Sequence, residues 1–129
     1  MTTSTVNIFA PTTIVIFGVT GDLAKKKLIP ALWNLYKNNH LPKNFAIVGF
    51  ARSEWSDVDM QNYMKSVLKE KGFNVDEADD QEKFFNKVSL VNGDFTTIEA
   101  YTSLLAKIES IDNAIGMCGD KIFHLAVPP

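Results

Sequence analysis

The strongest constraint on this chain is the run Thr12-Thr13-Ile14-Val15-Ile16-Phe17, which stops at Gly18 and gives way to a helical pattern a few residues later. A short β-branched and aromatic run without polar alternation suits a strand buried on both faces, the environment of a parallel sheet. Parallel neighbours need long crossovers, and the sequence supplies them. From Asp22, the apolar residues Leu23, Ala24, Leu28, Ala31, Leu32 and Leu35 recur at helical steps. Pro30 should kink or split this helix, which fades by Asn38-Asn39-His40.

The alternation repeats. Phe45 to Ala51 (FAIVGFA) reads as a second strand. Ser56 or Asp57 is placed to cap a helix from Val58 to about Lys71, with Met60, Tyr63, Met64, Val67 and Leu68 as its apolar stripe and Gly72 as its stop. Residues 74–81 are acidic and read as a loop, followed by a short helix near 82–86. Lys87 to Val91 is a third strand. A helix from Ile98 to Ile111 presents Ile98, Tyr101, Leu104, Leu105, Ile108 and Ile111, and Lys121 to Val127 is a fourth strand.

This order predicts an α/β fold: right-handed βαβ units forming a doubly wound parallel sheet of the Rossmann type, with helices on both faces. The chain supplies the first half of such a sheet plus the fourth strand, with strand one between strands two and four. Residues 1–12 are expected to be a flexible arm and residues 13–129 the nucleotide-binding domain.

The bulk properties restrict partners. The chain has 129 residues, 46% hydrophobic, and its 13 basic and 15 acidic residues leave a net charge of -2. No global positive field draws nucleic acid or an anionic membrane, so any anion site must be local. Cys118 is the single cysteine, which rules out an internal disulfide and a cysteine-based metal site and suggests a reducing compartment. His40 and His124 are far apart in sequence, and no metal site is expected. The start lacks a basic n-region, and Ile14 to Phe17 is too short for a signal segment or a membrane span, so the default location is cytoplasmic.

The junction after the first strand carries the chemistry. A dinucleotide pyrophosphate needs a tight turn, close backbone approach and a helix start immediately behind. Gly18 and Gly21 meet the first two demands because glycine lacks a Cβ. Ala24 is small enough for close helix–strand packing. The spacing is G-x-x-G-x-x-A rather than G-x-G-x-x-G, and the alternative is a strand–helix turn with no ligand. Thr20 offers a hydroxyl to a phosphate oxygen. Asp22 would repel phosphate, so capping the helix is the simpler reading. After the second strand come Arg52, Ser53 and Glu54. Arginine there matches the 2′-phosphate of NADP, with Ser53 adding a hydroxyl and an N–H. An inward Glu54 would favour NAD instead, and an exposed arginine without a ligand is the alternative for Arg52. Lys25, Lys26 and Lys27 fan out around the helix; such a run usually marks a solvated face, and the alternative is that Lys27 reaches an anionic substrate at the carboxyl edge of the sheet.

The string GVTGDLAKKKLIPALWNLY resembles the start of the glucose-6-phosphate dehydrogenase family, and GFARS and IFHLAVPP resemble two further blocks of it in the expected order. The resemblance spans Ile14 to Pro129. It implies an NADP-linked dehydrogenase, with NAD as a possible alternative cofactor, oxidising glucose 6-phosphate to 6-phosphogluconolactone in the pentose phosphate pathway. By position, Gly18, Val19, Thr20, Gly21, Asp22 and Leu23 would line the pyrophosphate loop. Arg52 and Ser53 would hold the 2′-phosphate, Ala126, Val127 and Pro128 would pack along the cofactor, and Lys27 would lie near the sugar. Phe95 stands where some relatives carry tyrosine, and so does His124, whose strand position reads as packing. The family's substrate lysine motif, catalytic histidine and carboxylate partner lie beyond the position of Pro129. No catalytic residue is therefore assigned, and the chain alone is expected to be inactive. The parent is expected to be a homodimer or homotetramer. The rival reading is a standalone nucleotide-binding module without catalysis.

Overall fold

The computed structural model describes residues 11–52, 54–73, 75, 83–94, 96–116 and 119–125. Four parallel strands form one sheet: β1 (Thr12–Phe17), β2 (Phe45–Ala51), β3 (Val88–Asn92) and β4 (Asp120–Leu125), in the order β3-β2-β1-β4. This is the expected topology, with β1 between β2 and β4. Thr12 pairs with Phe45 and Asp120 and is buried, so it belongs to the sheet rather than to an arm. Residues 1–10 of the expected arm lie outside the described residues.

Alternation in the strands divides the core. Ile14, Ile16, Phe45, Ile47 and Val88 face one way, against α1 (Ile29–Lys37) and α2 (Asp57–Glu70). Val15, Val48, Phe50 and Val91 face the other way, against Ala100, Leu104 and Ile108 of α3 (Ile98–Ile115). A helical turn at residues 83–85 inserts Phe84 and Phe85 against Trp33, with ring centroids 5.1 and 5.6 Å away.

The first crossover departs from the expected stripe. Residues Ala24–Leu28 form a π-helical stretch leading into α1, and the Ile29 N–H bonds five residues back to the Ala24 carbonyl. Pro30 has no N–H to continue an ordinary ladder, and the wide turn accommodates it. One extra residue per turn rotates the apolar face by about 100°. The buried residues are therefore Ala24, Ile29, Leu32 and Trp33, while Leu23, Ala31 and Leu35 are exposed. Asn39, at φ 59, ends the helix, and the His40 N–H reaches back to Leu35 O.

Ser56 caps α2 in a reciprocal box with Asp59: Ser56 Oγ accepts from the Asp59 N–H at 3.1 Å, and Asp59 Oδ2 accepts from the Ser56 N–H at 3.0 Å. Helix α2 also covers the outer edge of β3. Asp57 Oδ1 accepts the Leu90 N–H at 3.0 Å, and Gln61 Nε2 donates to Val88 O at 3.2 Å. These bonds occupy edge groups that another chain would otherwise pair with.

Helix α3 runs four residues further than its stripe predicts, to Ile115, and Gly116 at φ 88 closes it. Ile98, Tyr101 and Leu105 remain exposed. Strand β4 is held by β1 and by Lys121, whose Nζ lies 2.8 and 3.0 Å from the two carboxylate oxygens of Asp112. Its Ile122, Phe123, His124 and Leu125 are all exposed, so His124 does not pack as expected.

Candidate functional site: the carboxyl edge of the sheet

Three strand ends are tied together by backbone bonds at one edge. The Gly18 N–H donates to Phe50 O, and the Gly93 N–H donates to Ala51 O, both at 2.9 Å. The residues that follow β1, β2 and β3 therefore emerge side by side. In doubly wound sheets this carboxyl edge is where ligands bind. A cleft of about 380 Å³ lined by Tyr36, Leu41, Pro42, Phe45, Lys83 and Lys87 opens at the opposite end of the sheet, away from the glycine turn.

Gly18 has φ 78, the left-handed region that costs glycine nothing. The Gly21 N–H then bonds to Gly18 O at 2.9 Å, closing a four-residue turn. The Lys25 N–H bonds to Gly21 O at 3.0 Å, which makes Gly21 the cap and Asp22 the first helical residue. This corrects the reading of Asp22 as the cap. Inside the first turn its exposed carboxylate sits at the positive end of the helix dipole instead. The leading N–H groups of a helix have no partners within it, and at a strand–helix junction such groups form an arrangement that accepts an anion.

Val19 anchors the turn from below. It is fully buried, and a Cβ on Gly49 of β2 would come within 2.7 Å of Val19 Cγ1. Tyr63 of α2 supports the turn from the side, its hydroxyl donating to Thr20 O over a long 3.5 Å. Burial, with the nearby Asp22 and Glu70 charges, pushes the Tyr63 hydroxyl above its ordinary pKa and keeps it a donor. Lys25 leans on Glu70 at 3.6 Å, while Lys26 and Lys27 are exposed.

Arg52 stands two residues beyond Phe50 and is largely exposed, its Nη2 3.5 Å from Asp94 Oδ1. Asp94 is held in place by Thr96, whose N–H and hydroxyl donate to the same Oδ1 at 2.9 and 2.7 Å. These bonds, with help from Arg52, hold the carboxyl below its usual pKa. Glu54 is exposed.

Of the residues singled out in the sequence, the turn from Gly18 to Leu23 and Arg52 share this edge. Lys27 lies just behind the turn. Ser53, Phe95, Ala126, Val127 and Pro128 lie outside the described residues. Sequence reasoning missed Gly49, Tyr63 and Asp94. A glycine inside a strand signals close approach of another group. Asp94-x-Thr96 ahead of a helix is the spacing of an Asx turn. Tyr63 gave no such signal, because it fits an ordinary apolar stripe. Among the described residues, no group of three or more His, Cys, Asp or Glu is arranged to hold a metal, and no helix is long and apolar enough to cross a membrane.

Topology and turn together define a dinucleotide-binding α/β domain of the Rossmann type. The family model described as "Glucose-6-phosphate dehydrogenase, NAD binding domain" matches residues 15–129, and the chain belongs to that family. Glucose-6-phosphate 1-dehydrogenase 2 of Mycobacterium bovis is 35% identical over 122 residues, covering 95% of this chain and 24% of the relative. The Leuconostoc mesenteroides glucose-6-phosphate 1-dehydrogenase is 37% identical over 118 residues, covering 92% of this chain and 24% of that protein. A solved glucose-6-phosphate dehydrogenase in complex with its substrate glucose-6-phosphate superposes with a TM-score of 0.83 at 34% identity, covering 97% of this chain and 26% of that one. The chain thus spans about a quarter of the length of its relatives.

Proposed function

We propose that this chain binds NADP at the carboxyl edge of its sheet, and that the protein it belongs to oxidises glucose 6-phosphate to 6-phosphogluconolactone. The observation that carries the cofactor reading is the Gly18–Phe50 bond. It sets the phosphate-sized turn beside the strand end from which Arg52 projects. The N–H groups at the start of the helix receive the pyrophosphate, with the Thr20 hydroxyl as an additional donor. Arg52 provides a planar fork for the 2′-phosphate. Ser53, Ala126, Val127 and Pro128 keep the cofactor contacts that the resemblance gives them. Lys27, exposed behind the turn, is assigned to the anionic sugar.

The cofactor supplies the hydride acceptor when bound. Proton removal from the sugar hydroxyl requires a general base, and no residue of this chain is assigned that role. The exposed apolar strip on β4 and α3 is consistent with burial against further structure in an assembled enzyme. A cytoplasmic location and a homodimeric or homotetrameric parent belong to the same reading. A standalone nucleotide-binding module is not favoured, because the family model and the relatives that match this chain are glucose-6-phosphate dehydrogenases.

The test of the reaction is a spectrophotometric assay of the full-length protein that carries this domain. Reduction of NADP that depends on glucose 6-phosphate is expected. Absence of glucose-6-phosphate-dependent reduction of either NADP or NAD by the folded protein would refute the assignment.

A further inference from the structure

Asp94 has no part in the cofactor contacts assigned above, yet the backbone forces it against Arg52. Ala51 pairs with Asn92, and the Gly93 N–H bonds to Ala51 O, so Arg52, the residue after Ala51, and Asp94, the residue after Gly93, leave the sheet close together. Gly93 is needed for this path: a Cβ there would lie 2.4 Å from the Phe50 ring and 2.5 Å from the Ala100 Cβ. The two partners differ in freedom. Asp94 Oδ1 is fixed by two bonds from Thr96, whereas the Arg52 side chain is long and 72% exposed. The guanidinium is therefore the mobile partner and the carboxylate the fixed one.

We propose that Asp94 is a specificity-determining residue, a fixed counter-charge that competes with the 2′-phosphate for Arg52 and so lowers the site's preference for NADP over NAD. The proposal rests on Arg52 being the 2′-phosphate ligand. With NAD, Arg52 keeps its bond to Asp94 and loses nothing. With NADP, Arg52 must turn from Asp94 to the phosphate, leaving a carboxylate near a second negative group. Both charges are exposed, so the effect is modest and screened by salt.

The test is a double-mutant cycle read by calorimetric titration of NADP and NAD into the wild-type chain, Asp94→Asn, Arg52→Ala and the double variant. Asparagine keeps an oxygen that can accept the Thr96 bonds, so the loop geometry is preserved. Asp94→Asn should tighten NADP by roughly two- to fivefold, the range expected for an exposed pair, with little change for NAD. The gain should shrink as salt rises and disappear in the Arg52→Ala background. An unchanged NADP-to-NAD ratio in Asp94→Asn, where Arg52→Ala lowers it, overturns the role of Asp94 and leaves Arg52 in place. A gain that persists without Arg52 also overturns it, because Asp94 would then act on the phosphate directly. An unchanged ratio in Arg52→Ala, or binding of neither dinucleotide, removes the 2′-phosphate reading and this proposal with it.

Discussion

Gly49 and Val19 meet where a strand passes directly beneath the glycine turn. A Cβ added at Gly49 would fall 2.7 Å from Val19 Cγ1 and 3.2 Å from its Cβ, so the absence of a side chain in β2 is what lets the turn sit down on the sheet. Gly49→Ala should push Val19 up and shift the turn, at a cost of about 1–3 kcal/mol for overpacking. Thermal unfolding checks the stability loss. Dinucleotide titration should show weaker binding in the same variant, because the N–H groups proposed to receive the pyrophosphate move with Val19.

Tyr63 offers a test with a pH signature. Its bond to Thr20 is long, so Tyr63→Phe should change stability at neutral pH by less than about 1 kcal/mol. Burial and the Asp22 and Glu70 charges raise the folded-state pKa above the ordinary value of 10.0. A raised value means this contribution is intact below about pH 10 and is lost as pH rises through the folded-state pKa. Denaturant titrations should therefore show wild type losing stability more steeply than Tyr63→Phe above pH 10. Parallel alkaline curves would contradict this.

Asp57 and Gln61 should keep the β3 edge closed. Replacing both by alanine removes the acceptor from Leu90 N–H and the donor to Val88 O. The expected loss is about 1 kcal/mol per bond. A more specific consequence is edge-to-edge pairing. Sedimentation velocity should show concentration-dependent association in the double variant beyond that of the wild-type chain.

Strand β4 depends on the pairing of Lys121 with Asp112. Both side chains are mostly buried, at 20% and 18% exposure, so removing Lys121 takes the counter-charge from a partly buried carboxylate that keeps the Gly119 N–H. Lys121→Met should cost about 1–3 kcal/mol. Hydrogen exchange should speed up in Asp120–Leu125 before it does in β2, because β2 is flanked by strands on both sides.

Much of the fold could be read directly from residue patterns. Continuous apolar runs marked β1 and β2, the crossover lengths pointed to parallel pairing, and the strand order matched the usual order of a doubly wound sheet. The π-helical stretch was not legible in periodicity, because a pattern at steps of three and four carries no mark of where one extra residue enters a turn. Pro30 was the available clue. It predicted a disturbance but not the rotation that exposes Leu23 and Leu35 and buries Ile29 and Trp33. The wide stripe of α3 pointed correctly to Leu104 and Ile108. It could not tell that Ile98, Tyr101 and Leu105 stay uncovered, since exposure depends on what packs above a helix. At the site, Gly18, Gly21 and Arg52 were visible because each has a chemical reason to occupy its place. Asp94 was not, because its meeting with Arg52 comes from strand register rather than from spacing along the chain.

Arg52, beside the Gly18 turn, is the proposed ligand of the 2′-phosphate. Calorimetric titration of NADP and NAD into the chain and its Arg52→Ala variant tests it most directly. Wild type should bind NADP more tightly than NAD, and Arg52→Ala should weaken NADP by roughly tenfold or more, the scale of one charge-assisted interaction, while NAD affinity changes little. Equal losses for the two dinucleotides, or no loss for either, would remove Arg52 from the 2′-phosphate role.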